Sequence, residues 1–182
     1  MVKKITADII SDFFIQKSIE VDTPAGGNIT HNKLQKLVTY SYVWYLGLRR
    51  KKLFEEKITA GRHGYFVNSQ FERFKAFGSM PIILPDFKCN IESKLSDKIH
   101  DFLDNLWDAY GCFEGSFLSK LQYRETPYKK SFGLGAFFVN DDWIKEFYSY
   151  RNQEIIYYMP DGASIFPHED TYEFYIGYKQ PQ

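Results

Sequence analysis

Apolar positions in this chain fall mostly at helical spacing. Ile5, Ile9 and Phe13 recur every fourth residue and Ile19 extends the face, which predicts an amphipathic helix over residues 5–20. Pro24-Ala25-Gly26-Gly27-Asn28 predicts a loop. Thr30 is placed to cap a second helix running to Arg49, with Leu34, Leu37, Val38, Ser41, Tyr45 and Leu48 along one face. Tyr42 and Trp44 widen that apolar sector, so this helix is expected to be central and buried on more than one side. From Lys52 to Val67 the helical period is lost, and Gly61 and Gly64 beside Ile58-Thr59-Ala60 predict a short hairpin.

Asn68 or Ser69 is placed to cap a short helix carrying Phe71, Phe74 and Phe77, closed by Gly78. Pro81 and Pro85 flank an extended loop. Ser96 and Asp97 open the clearest helix, with Leu95, Ile99, Phe102, Leu103, Leu106 and Tyr110 as its stripe and Gly111 as its stop. A helix over 115–123 carries Phe117, Leu118 and Leu121. Arg124-Glu125-Thr126-Pro127-Tyr128 reads as a turn, and Asn140-Asp141-Asp142 opens a last helix with Ile144, Phe147 and Tyr148. Residues 155–159 and 172–176 read as strands around Pro160-Asp161-Gly162 and Pro167. The predicted fold is mainly α: a compact single domain of about six helices with a small β-hairpin, over 1–150, and a β-like, Tyr-rich extension over 151–182.

Length fits this reading, since 182 residues suffice for one self-supporting core. Lys+Arg and Asp+Glu are both 23, and the zero net charge argues against a dedicated nucleic-acid binder. Apolar runs are too short for a membrane span, and Asp8 and Asp12 interrupt any leader-like stretch, so a cytoplasmic protein is expected. Two cysteines, Cys89 and Cys112, are too few for a disulfide framework or a structural zinc site. Aromatic residues reach 19%, which fits either core packing in a chain of biased codon usage or a partner-binding surface.

Candidate chemistry is sparse. His31, His63, His100 and His168 stand at no metal-ligand spacing from one another or from a cysteine, and no metal or cofactor is expected. There is no phosphate loop or nucleophile elbow, and Gly133-Leu134-Gly135 reads as a turn. The Arg49-Arg50-Lys51-Lys52 run fits a solvated helix end, with phosphate or acidic-partner binding as the alternative. Arg62-His63, between two glycines, is a candidate functional loop.

Several stretches together resemble one family. Asn32-Lys33-Leu34-Gln35-Lys36-Leu37-Val38-Thr39-Tyr40 followed by Trp44-Tyr45-Leu46 is similar to the signature N-x-K-L-Q-K-L-L-Y, then W-x-L, of the Panacea (SocA-like, phage-associated) antitoxin domain. Phe71 to Gly78 is similar to its F-K-x-Y-G stretch. Leu121-Gln122-Tyr123-Arg124-Glu125-Thr126-Pro127-Tyr128 resembles its L-T-H-x-E-x-P-W pattern. The resemblance covers Thr6 to Tyr150. This chain departs from the pattern at Tyr123 and Tyr128, where the family has His and Trp, and around Gly61, where the family's Trp is missing.

The resemblance implies a helical, non-enzymatic antitoxin that neutralises a cognate toxin, encoded beside it, by direct protein–protein contact. On that reading Arg62, His63, Tyr65, Arg124, Glu125 and Tyr128 form the partner-binding set. For Glu125 and Tyr128 the alternative is packing and capping inside the fold. Two other functions are compatible with the sequence. One is a phage or mobile-element protein that inhibits a host defence protein. The other is a small hydrolase or nuclease using Arg62, His63 and Glu125 as charge stabiliser, base and partner.

Overall fold

The computed structural model describes residues 4–20, 29–84, 91, 93–135 and 137–156. Among these are seven α-helices and one two-stranded sheet, in the order α1 (Ala7–Glu20), α2 (His31–Arg49), β1 (Ile58–Gly61), β2 (Gly64–Val67), α3 (Asn68–Phe74), α4 (Asp97–Tyr110), α5 (Gly115–Arg124), α6 (Thr126–Gly133) and α7 (Asp141–Ile156). The protein is mainly α with a small β-hairpin, as the periodicity predicts. The predicted 150/151 boundary falls inside α7, whose helix includes Ile155 and Ile156, two residues read as strand from the sequence. The rest of the Tyr-rich extension lies outside the described residues, as do Pro24 to Asn28, Pro85, Cys89 and His168.

α2 is the axis of the fold, touched by α1, α3, α4, α5, α7 and β2. The Thr30 hydroxyl accepts the Lys33 N–H at 3.3 Å, satisfying one of the four orphan donors at the helix start. At the other end Arg50 adopts a left-handed φ of 57° while its N–H closes on the Leu46 carbonyl. Almost every residue between is buried, including the polar Gln35, Lys36, Thr39 and Ser41. A helix buried on all sides is normally apolar all round. These polar residues therefore need partners, and they mark where the site lies.

The aromatic excess is largely core. Trp44, Tyr40, Tyr42, Tyr110, Tyr148, Phe14 and Phe74 are fully buried. Tyr40 stacks on Tyr110 with centroids 4.5 Å apart, and Trp44 stands edge-on to Tyr148 at 4.7 Å. The buried polar tips are paired, as when the Trp44 indole N–H donates to the Tyr110 hydroxyl at 3.0 Å. α2 and α7 lie close together at Gly47, where an added Cβ would lie 2.5 Å from the Cβ of Tyr148 and 3.3 Å from its carbonyl carbon.

Several local expectations need correction. Ile19 is exposed, because α1 buries the Ile10, Phe13 and Phe14 side instead. α3 has no side-chain cap, since Asn68 is already its first helical residue; Phe71 is exposed, and the helix buries Gln70 and Phe74. Gly78 does take the positive φ its position calls for, 54°. The predicted turn at Arg124–Tyr128 shrinks to Glu125, between the end of α5 at Arg124 and the start of α6 at Thr126, with Pro127 in the first turn of α6, where a missing N–H costs nothing. Asn140 caps α7 as expected, its Oδ1 accepting the Asp142 N–H at 2.7 Å.

Candidate functional site

A two-stranded hairpin is marginal by itself and leaves two open edges. Here the β2 edge is closed without a third strand, and the β1 edge is tied at its two ends. β1 and β2 pair antiparallel, Ile58 opposite Val67 and Gly61 opposite Gly64, with Arg62-His63 as the turn. Along β2, helix side chains take the place of a neighbouring strand. The Tyr65 N–H donates to Gln122 Oε1 at 2.8 Å, and the Tyr65 carbonyl accepts from Lys36 Nζ at 2.8 Å. The Gln35 amide serves both backbone groups of Val67, accepting its N–H at 3.0 Å and donating to its carbonyl at 3.4 Å. Gln122 is held in turn by Thr39, whose hydroxyl accepts from Nε2 at 3.1 Å.

Gly64 makes the close approach possible. Its φ is +92°, and an added Cβ would lie 2.5 Å from Gln122 Oε1 and 2.9 Å from Lys36 Nζ. Neither Arg62 nor His63 has a positive φ, so the turn depends on Gly64 for its left-handed residue. On the β1 side, the Val139 N–H donates to the Ile58 carbonyl at 2.9 Å and the Tyr128 hydroxyl to the Gly61 carbonyl at 2.7 Å. Tyr123 adds a bond to the Arg62 carbonyl at 2.8 Å.

Beneath the hairpin lies a buried cluster of ionisable groups. Glu125 is fully buried where α5 gives way to α6. One carboxylate oxygen accepts from Tyr40 at 3.2 Å and the other from Tyr148 at 2.6 Å. The Tyr65 hydroxyl is turned to the same carboxylate and stands in its field. Burial first, then the Glu125 charge, raises the phenols of Tyr40, Tyr65 and Tyr148 far above their ordinary range. Burial also pulls Lys36 down to about 7, an effect the Glu125 charge opposes. An uncompensated buried charge is costly, and the arrangement answers that cost with the hydroxyls of Tyr40 and Tyr148 donating to the carboxylate.

The expected partner-binding set therefore divides. Arg62 and His63 are exposed at the hairpin tip, and Arg124 is exposed at the end of α5. Tyr65 and Glu125 are buried completely and Tyr128 very nearly so. As surface-contacting residues these three are corrected. Glu125 and Tyr65 anchor the interior, and Tyr128 pins the turn through its hydroxyl. The hydrolase arrangement of Arg62, His63 and Glu125 is not assembled either, because the carboxylate is sealed beneath the rings while the other two face solvent.

Gln35, Lys36, Thr39, Tyr40, Gln122 and Tyr148 were not among the candidates. The first four carried a signal: Gln35/Thr39 and Lys36/Tyr40 are pairs four residues apart, so each pair stacks along one side of the helix. The basic run at Arg49–Lys52 is drawn to α7, Arg50 donating to Ser149 at 3.1 Å and Lys52 pairing with Asp141 at 3.1 Å. Among the described residues no group of three or more His, Cys, Asp or Glu could hold a metal ion, and no helix is long and apolar enough to cross a membrane. Compared with family models, curated proteins and solved structures, the chain matches none.

Proposed function

We propose that this protein is an antitoxin of the Panacea (SocA-like) type, which neutralises a toxin encoded beside it by direct contact. The observation that carries this reading is that the two most distinctive stretches of the resemblance meet in space. Gln35, Lys36, Thr39 and Tyr40 of the first close one hydrogen-bonded lattice with Gln122 and Glu125 of the second, around β2. Tyr128 of the second pins the turn of the same hairpin. Residues 85 positions apart in sequence, Tyr40 and Glu125, thus belong to a single structural device. That device presents the exposed Arg62-His63 tip on a rigid base, which suits a contact surface.

The test is growth after induction of the adjacent reading frame, with and without this protein. The reading expects arrest by the neighbour alone and recovery when both are expressed. A harmless neighbour, or arrest that this protein leaves unrelieved, contradicts it. In that case a host defence protein becomes the partner to examine.

A further inference from the structure

Charge on this neutral chain is unevenly placed. Residues 57–64 and 123–139 carry Lys57, Arg62, Arg124, Lys129 and Lys130 against a single acid, Glu125. All five cations are exposed, and the one acid is buried. Both stretches form one surface, since Tyr128 bonds to Gly61, Tyr123 to Arg62, and Val139 to Ile58. Among these cations the end of α6 and the α6–α7 connection expose large apolar side chains: Phe132 at 51%, Leu134 at 73%, Phe137 at 72% and Phe138 at 44%. Phe132 is stacked on Tyr128, so the patch is continuous with the hairpin base. At the start of α7 the exposed Asp142 is paired with Lys145 and Asp141 with Lys52, so the net excess around the patch is cationic; an apolar centre inside such a polar rim is the anatomy of a protein-binding surface.

We propose that this surface, formed by the hairpin tip, α6 and the α6–α7 connection, docks an acidic segment of the partner protein that carries apolar anchor side chains. The proposal rests on the antitoxin reading only in taking the partner to be a protein. Exposed rings amid cations are also what single-stranded nucleic acid uses. Here, however, the patch also holds Leu134, which is 73% exposed and offers no ring to stack on, and one face of Phe138 is already covered by Lys57 at 4.7 Å. The zero net charge of the chain likewise argues against a nucleic-acid surface.

The test uses the full chain as bait for a phage-displayed library of random peptides. Enriched peptides are then measured by fluorescence anisotropy. The expected peptides are rich in Asp and Glu and contain Leu, Ile, Phe or Trp. Their affinity should fall at least tenfold on the double change Lys57→Glu and Lys129→Glu, and also on Phe137→Ser. All three positions are exposed, so unchanged melting temperatures are expected to separate lost binding from lost folding. No enrichment, enrichment without an acidic bias, or affinities within twofold of wild type in these variants would overturn the proposal. So would competition by a thymidine oligonucleotide, or a dimer in sedimentation that Phe137→Ser dissolves, which would assign the surface to nucleic acid or to a second copy. Failure here with growth rescue intact removes this surface and leaves the antitoxin reading standing. Acidic peptides binding as described, with a harmless neighbour, does the reverse.

Discussion

Lys36 offers the sharpest physical test of the buried network. In the unfolded chain its amine holds a proton up to about pH 10.4. In the folded chain burial brings that release down to about 7, despite the Glu125 charge. Between these two values the unfolded state binds more protons, so this group makes stability rise with pH. From pH 6.5 to pH 9 the expected gain is roughly 2–3 kcal/mol, because each tenfold change in proton activity beyond pH 7 contributes about 1.4 kcal/mol. The buried phenols act in the opposite direction, but only above about pH 10, where unfolded tyrosine begins to ionise.

Lys36→Met isolates the effect. It removes the titrating group, leaves the Tyr65 carbonyl without its 2.8 Å donor, and keeps much of the side-chain volume. The lost donor costs about 1–3 kcal/mol at any pH. The pH-dependent part is read from the difference between wild type and variant. Urea unfolding of both proteins at pH 6.5 and at pH 9 supplies it, with slopes from other groups common to both chains cancelling. Wild type is expected to gain on the variant by roughly 2–3 kcal/mol across this range. A difference that stays flat, or narrows as pH rises, refutes the idea that a buried amine sits uncharged beside the hairpin at mildly alkaline pH.

Three further outcomes are expected. Gly47→Ala should destabilise the fold by about 1–3 kcal/mol in denaturant unfolding, because the overpacking against Tyr148 outweighs the better helix propensity of alanine; an unchanged or raised midpoint would contradict the close α2–α7 approach. Gln122→Leu should cost about 1–3 kcal/mol, since it strips the buried Tyr65 N–H of its acceptor, and hydrogen exchange at Tyr65 should accelerate; protection equal to wild type would refute the role of helix side chains as a substitute strand. Arg62→Ala with His63→Ala should leave stability within about 0.5 kcal/mol, because both side chains face solvent, while weakening rescue of growth; a large fall in melting temperature would place these residues in the structure and not on the surface.

Much of the fold could be read from spacing and punctuation. Thr30, Gly78 and Asn140 mark element ends through local chemistry, and each does so in the structure. The stripe of α4 is buried as its period requires. α6 was missed because Pro127 is both a turn signal and a residue suited to a helix's first turn, and sequence alone favours the former. The burial of Glu125 and Lys36 was hidden for a different reason. A charged residue reads as a surface residue unless its partners are known, and those partners, Tyr40, Tyr148 and the Tyr65 carbonyl, come from distant parts of the chain. Arg62 and His63 were legible because a turn between glycines has few ways to hide its side chains.

The central claim is that this protein acts by contact, through a surface held rigid by a buried polar lattice. Its most direct test is calorimetric titration of the purified chain into the purified product of the adjacent gene. Saturable binding at a fixed stoichiometry, weakened by the Arg62→Ala and His63→Ala double change without loss of fold, is the expected result. Absence of binding, or binding that the double change leaves untouched, would contradict it.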